Sequence, residues 1–362
     1  MLTFLIMAGG SGERFWPLST KTNPKQLLHV FNSKSLIRLT YERILPICDN
    51  DHIFIATNEI QADKIKEEIS ELDSSRIIIE PGFKDTASAI AYGSLMISKY
   101  IKDATIAVLA SDALIKDEEG FRNILIEAEN VALAGSIVTL GIKPTYPETG
   151  YGYIEAKTSN LNVANDVIAF KEKPSYDIAK EYVDAKRYFW NSGMFIFKSS
   201  VMDEAFKMYS KIHYDVKMEL DKMIDSNLGV ETANKVRDTF NKFEKKSIDF
   251  AVMEHAKNIK VIPCNIGWND VGSYLAFEEL FTKDNDLNVI RNTNTILVDS
   301  NNNIIISDGN YQSLAMLGVS DMIIAITKDN ILVCPKGRNQ EIKKIISKNS
   351  NVFTKNPLFL KI

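Results

Sequence analysis

Residues 1–28 read MLTFLIMAGGSGERFWPLSTKTNPKQLL. Leu2 to Met7 is a short apolar run that stops at Ala8-Gly9-Gly10-Ser11-Gly12. An apolar run of about six residues closed by glycine reads as a buried strand feeding a tight loop. Arg14 follows at once, and Lys25 comes eleven positions later, behind Pro24. The pattern predicts a phosphate cradle. Glycines remove the Cβ atoms that keep a backbone away from a polyphosphate. Their N–H groups, with a helix N-terminus behind them, favour an anion. Arg14 and Lys25 add full positive charges.

Two common glycine motifs are absent from this stretch. A Walker A loop needs Gly-Lys-Ser/Thr after four spacers, and no such string follows Gly9 or Gly10. A dinucleotide fingerprint opening at Gly10 needs glycine or alanine at 15, where Phe15 stands. The plainer reading, a strand-to-helix turn with surface charges, stays open on Gly-Gly alone.

Outward from this loop the first half alternates. Strands are expected at Ile53–Thr57, Ile77–Ile79, Ile106–Leu109 and Ile137–Gly141. Helices are expected at Ser35–Pro46, Gln61–Glu71, Thr86–Tyr100 and Phe121–Ala134. Alternation of this kind predicts an α/β domain, a parallel sheet with helices on both faces. Ligands bind such sheets at the carboxyl ends of the strands. Gly9, Glu80 and Asp112 each follow a strand end, so they are expected to share one rim. From 142 to 285 the pattern is less regular, with a helical segment around 201–245, and reads as a second half laid on the same sheet. After residue 286 short β-rich runs recur roughly every nine residues, at Thr295–Val298, Asn303–Ser307, Ser313–Leu317, Met322–Thr327 and Ile331–Cys334. They predict a small all-β module, solenoid or sandwich, closed by a helix at Arg338–Ser347. The expected domains are 1–285 and 286–362, the second a structural or dimer-forming appendage.

The chain has 362 residues, 43 Lys plus Arg against 47 Asp plus Glu, and a net charge of −4. That balance argues against a nucleic-acid partner, which leaves a basic footprint. No window reaches the roughly 18 apolar residues of a spanning helix, so no membrane is expected. No basic stretch precedes the first apolar run, which argues against a signal peptide. Cys48, Cys264 and Cys334 stand far apart, as reduced thiols of a cytoplasmic protein would. The four histidines form no spaced cluster.

MAGGSGERFWPLS (7–19) followed by NPKQLL (23–28) resembles the signature of sugar-1-phosphate nucleotidylyltransferases. With Glu13, Phe15 and Trp16 it is similar to the mannose-1-phosphate guanylyltransferases, or GDP-mannose pyrophosphorylases, in particular. GIKPTYPETGYGYIE (141–155), FKEKP (170–174), YFWNSGMFIFK (188–198), SIDFAVME (247–254) and GWNDVGSY (267–274) resemble further family motifs in family order. SDGNYQSLAMLGVSDMIIAITKDNILVCP (307–335) resembles the family's C-terminal module. The resemblance implies a Rossmann-like nucleotide-diphospho-sugar transferase domain, its sheet mixed and mainly parallel with helices on both faces, followed by a small left-handed β-helix-like one. The implied reaction is nucleotidyl transfer from GTP to α-D-mannose 1-phosphate, giving GDP-mannose and pyrophosphate.

The resemblance also distributes roles. Arg14 and Lys25 become catalytic. Ala8, Gly9, Gly10 and Gly12 carry the nucleotide phosphates. Guanine presents N–H donors, which a carboxylate accepts well, so Glu80 becomes a base reader, with Asp85 and Thr86 beside it; Asp85 equally suits a plain N-cap. Glu172 is an acceptor for sugar hydroxyls and Lys173 a cation for the sugar phosphate, joined by Tyr151, Gly152 and Asn191. Mg²⁺ prefers one or two carboxylates plus phosphate oxygens and waters, which fits Asp112 and Asp270; taken singly, each reads as a turn or cap aspartate. The expected assembly is a homodimer.

Two segments depart from the family pattern. Leu109-Ala110-Ser111-Asp112-Ala113 lacks the usual proline and histidine, and Lys84-Asp85-Thr86-Ala87-Ser88-Ala89 has a carboxylate where an amide is usual. They motivate one alternative, another sugar 1-phosphate or nucleotide; a second, a non-catalytic sugar-nucleotide-binding relative, is opposed by the presence of Arg14, Lys25, Asp112 and Asp270. Larger relatives carry an added phosphomannose isomerase domain; the length here predicts transferase activity only.

Overall fold

Leu2–Met7 forms β1, as its apolar run predicts, and five of its six residues are buried. A strand buried on both faces belongs inside a sheet covered on both sides. The computed structural model describes residues 1–10, 12–31, 34–224, 230–309 and 313–349. Ser11 of the glycine loop, residues 225–229 of the expected helical segment and residues 310–312 of the C-terminal motif lie outside them.

β2 (Ile53–Asn58), β3 (Ile77–Glu80) and β4 (Thr105–Ala110) join β1 in parallel, in the order β3-β2-β1-β4. The intervening helices are α1 (Leu36–Ile44), α2 (Ala62–Glu68), α3 (Thr86–Ser98) and α4 (Glu118–Leu133). The less regular stretch supplies five more strands: β5 (Ile137–Ile142), β6 (Tyr153–Ala156), β7 (Asn165–Lys171), β8 (Tyr188–Lys198) and β9 (Ile259–Cys264). β8 runs antiparallel between β4 and β5, β5 pairs in parallel with β9, and β6 and β7 complete one nine-stranded mixed sheet. α5 (Tyr176–Ala185) precedes β8, and the expected long helical segment is three helices: α6 (Ser199–Tyr209), α7 (Lys211–Ile224) and α8 (Val230–Phe240). Leu5, Phe54, Ile106 and Phe197 of the sheet pack with Leu95 of α3, Phe206 of α6 and Phe240 of α8 in one core.

The chain divides into two compact units. Met1–Gly9, Thr40–Ser111 and Ile115–Trp268 make the sheet unit. Gly10–Leu39, Asp112–Leu114 and the chain from Asn269 onward make the other. That second unit combines the glycine loop's Gly10 and Gly12 with the C-terminal β-rich segment.

In the second unit the strands are β10 (Val289–Arg291), β11 (Thr295–Val298), β12 (Ile304–Ser307), β13 (Leu314–Leu317), β14 (Met322–Ile326) and β15 (Ile331–Pro335). β10, β12 and β14 stack in parallel, β11 and β13 form a separate parallel pair, and β15 returns antiparallel on β14. Consecutive strands thus alternate between two sheets, which is a solenoid winding rather than a sandwich. Asn303, fully buried, donates through Nδ2 to Asn288 Oδ1 at 3.0 Å and so ties one coil to the next. The solenoid's Val289, Ile304 and Ile323 share a core with Phe15, Leu18, Leu28, Val30 and Phe31 of the N-terminal segment, and with Tyr274 and Phe277. α9 (Phe277–Leu280) and α10 (Ile342–Asn349) belong to this unit, and Ile342 closes the core at 1% exposure. The expected closing helix begins as a 3₁₀ segment, Lys336–Glu341, before α10.

Candidate functional site

Gly12 has φ +62, and a Cβ there would stand 2.4 Å from Lys25 Cβ and 3.0 Å from Lys25 N. No other residue fits both the left-handed backbone and that contact. An added Cβ at Gly10 meets nothing within 4 Å, and Gln26 donates through Nε2 to Gly10 O at 3.2 Å. Behind the glycines stands a single 3₁₀ turn, Glu13–Phe15, in place of the expected helix N-terminus. The turn is held by its neighbours. Tyr274 donates its hydroxyl to Phe15 O at 2.9 Å, and the Phe15 ring packs tilted against Tyr274 and Phe277, centroids 5.2 and 5.6 Å away.

Lys25, 7% exposed, puts its ammonium 2.8 Å from Asp112 Oδ2 and donates to the main-chain oxygen of Asp270 at 2.6 Å. Exposed Arg14 donates to Gly272 O at 3.3 Å, and Gly272 N donates to Asp270 Oδ1 at 3.1 Å. Residues from opposite ends of the chain are thus gathered within one unit. The cluster has two cations and two carboxylates, in the unit that also holds Gly10 and Gly12. Among the described residues no group of three or more His, Cys, Asp and Glu side chains gathers. Asp112 and Asp270 are the carboxylates of this cluster that could take a hard cation; here Asp112 Oδ2 pairs with the Lys25 ammonium and Asp270 Oδ1 accepts from Gly272 N.

In the sheet unit, Ala8 and Gly9 leave β1 under tight control. Thr57 donates to Ala8 O at 3.0 Å, and Asn58 donates to Gly9 O at 3.5 Å. Glu80 ends β3, and its Oε1 lies 3.7 Å from where a Cβ on Gly9 would be. Burial lifts the Glu80 carboxyl from its ordinary 4.5 to about 7, because a charge is costly away from water. Asp85 has φ 73 and accepts from Thr86 N at 2.7 Å. That is the N-cap reading of Asp85, its carboxylate already engaged at the head of α3. The Thr86 hydroxyl accepts from Ile248 N at 2.8 Å.

The sugar-motif residues form their own group in the same unit. A Cβ on Gly152 would lie 2.9 Å from Glu172 Oε2, and Asn191 N donates to Gly152 O at 2.8 Å. Exposed Lys173 pairs with the carboxylate of Glu172. Tyr151 packs edge-on between Trp190 and Trp268, at 5.3 and 5.5 Å. The sequence reading singled out no role for Asp249, yet it accepts from Asn191 Nδ2 at 2.7 Å. Only its place in SIDFAVME signalled it. Burial raises its carboxyl above the usual range, and the charges of Glu172 and Glu254 add to the rise.

Residues 3–286 match the model of the nucleotidyl transferase family, and residues 293–348 match the MannoseP isomerase/GMP-like beta-helix domain. A mannose-1-phosphate guanylyltransferase of Salmonella montevideo is 37% identical over 96% of this chain and 74% of its own length. The alginate biosynthesis protein AlgA of Pseudomonas aeruginosa is 33% identical over 94% of this chain and 71% of its own. Among solved structures, one described as a mannose-1-phosphate geranyltransferase from Thermus thermophilus superposes with a TM-score of 0.86 at 31% identity. The likeness covers 96% of this chain and 99% of that one. By its glycine loop, its mixed sheet with a β-helix-like segment, and these likenesses along nearly its whole length, the chain belongs to the nucleotidyl transferase family, among the mannose-1-phosphate guanylyltransferases.

Proposed function

We propose that the protein transfers the guanylyl group of GTP to α-D-mannose 1-phosphate, releasing pyrophosphate and forming GDP-mannose. The observation that carries this reading is the Lys25 ammonium held between the Asp112 carboxylate and the Asp270 carbonyl oxygen. A phosphate oxygen of the sugar phosphate attacks the α-phosphorus in line. The bond from that phosphorus to the bridging oxygen of the β-phosphate breaks, and pyrophosphate leaves with the electron pair. The nucleophile is already an anion, so no general base is needed. The protein's work is to position the reactants and to neutralise charge.

Gly9, Gly10 and Gly12 carry the triphosphate, Arg14 holds the leaving phosphates, and Lys25 stabilises charge at the α-phosphate. Glu80 accepts from the guanine edge. Glu172 and Asn191 receive the sugar hydroxyls beside Tyr151 and Gly152, and Lys173 receives the sugar phosphate. Asp112 and Asp270 would hold Mg²⁺, which would supply Lewis-acid stabilisation of phosphate charge. The three cysteines are free thiols, which suits the cytoplasm as the compartment.

Pyrophosphate release with four nucleoside triphosphates and a panel of sugar 1-phosphates tests the reading. Turnover is expected to be highest with GTP and mannose 1-phosphate. Preference for another pair, or binding of GDP-mannose without any turnover, contradicts it.

A further inference from the structure

Asp249 sits on a segment whose attachments are unusual. Upstream, Glu244 O accepts from His213 Nε2 at 3.2 Å. His213 is fully buried in α7, stacked between the rings of Phe206 and Phe243, with Nδ1 2.7 Å from Ser210 Oγ. Two residues on, Lys246 O accepts from Ala87 N at 3.2 Å, and Ile248 N donates to Thr86 Oγ1 at 2.8 Å. Residues 244–248 are thus a strap pinned at one end to the helical layer and at the other to the N-terminus of α3. The strap ends at Asp249, the first residue of a π-helical turn, Asp249–Met253.

Asp249 in turn fixes an amide. Asn191 has two ends to orient, an oxygen and an NH₂. Its Oδ1 accepts from Gly193 N at 3.1 Å, and its Nδ2 donates to Asp249 Oδ1 at 2.7 Å. With both ends committed, the flip that would exchange donor and acceptor is closed off. One N–H and one lone pair of the amide remain to meet a hydroxyl, in a fixed arrangement. Glu172, whose charge acts on Asp249, is the neighbouring acceptor.

We infer that Asp249 is a positioning residue for sugar selection: held by the 244–248 strap, it orients the Asn191 amide so that the site discriminates among hexose 1-phosphates by hydroxyl stereochemistry. This deepens the proposed reaction and rests on Asn191 facing the sugar. The chemistry it recognises is a hydroxyl-bearing sugar ring, not the nucleotide.

The test compares wild type with Asp249→Ala and Asp249→Asn, measuring KM for the sugar 1-phosphate, KM for the triphosphate, kcat and the thermal midpoint. Asp249→Ala is expected to raise KM for the sugar phosphate about tenfold or more, to narrow the preference for mannose over glucose 1-phosphate, and to leave KM for the triphosphate within about twofold. Asp249→Asn keeps an acceptor for Asn191 Nδ2 and is expected to restore most of the loss. Calorimetric titration of GDP-mannose into all three proteins reads the same contact without turnover. If the wild type turns over no substrate pair, the proposed reaction fails, while a weakened GDP-mannose titration in Asp249→Ala alone still upholds the positioning role. Equal changes in both KM values, a loss confined to the thermal midpoint, or no recovery in Asp249→Asn would overturn it.

Discussion

At the scale of single residues, Gly12 and Glu80 carry the sharpest expectations. Gly12 combines a left-handed backbone with a 2.4 Å approach to Lys25. Gly12→Ala should therefore cost about 2 kcal/mol or more and displace Lys25; urea denaturation and pyrophosphate release check both. Glu80, with its carboxyl near 7 through burial, binds its proton more tightly in the native state than unfolded. Its contribution to stability should fall as pH rises from about 4.5 to 7 and level off above, a slope absent in Glu80→Gln. Function should run the other way. Only the ionised carboxylate accepts fully from guanine N–H groups, so KM for GTP should fall as pH rises through 7 in wild type and show no such step in Glu80→Gln. The sequence made Gly12 and Glu80 visible because each ends a strand-and-loop pattern. Asp249 stayed hidden because its partner, Asn191, lies 58 positions away and no local spacing records that bond.

At the scale of elements, local signals and pairing signals parted company. Apolar runs bounded by glycine and charged helical stripes gave β1–β5 and α1–α4 nearly at their boundaries. The insertion of β8 between β4 and β5 had no such signal, because strand order depends on which distant edges meet. β6, four buried residues, and β7, seven mostly exposed or half-buried ones, fall in the stretch from 142 to 285 where the sequence pattern is irregular. The solenoid's runs were legible, while the choice of winding needed the parallel pairs Val289–Ile304 and Ile304–Ile323. Nor did the sequence reveal that α10 and the signature loop share a core, since Phe15 and Ile342 sit at opposite ends of the chain. That packing gives a test. Ile342→Ala should destabilise the fold by about 2–5 kcal/mol, the range for deleting a buried large aliphatic side chain. It should also lower kcat, because Phe15 carries the turn that holds Arg14. A stable variant with unchanged kcat would separate helix from loop.

At the scale of the whole molecule, the β-rich segment packs with the N-terminal signature. Gly10–Leu39 and the chain from Asn269 onward form one compact unit, and the aromatic stack of Phe15, Tyr274 and Phe277 lies in the same core as the solenoid's Ile304 and Ile323. A chain cut after residue 285 should expose that core, aggregate, and show no turnover, as judged by light scattering and pyrophosphate release; a soluble, active fragment would show that the loop stands alone. The proposed transfer centres on the cluster inside this unit, where Lys25 meets Asp112 and Asp270. The most direct measurement is kcat for Lys25→Ala with saturating GTP, Mg²⁺ and mannose 1-phosphate, beside its thermal midpoint. A fall of at least about 10²-fold in a folded protein is expected, the scale of losing one transition-state donor; turnover close to wild type would contradict the claim.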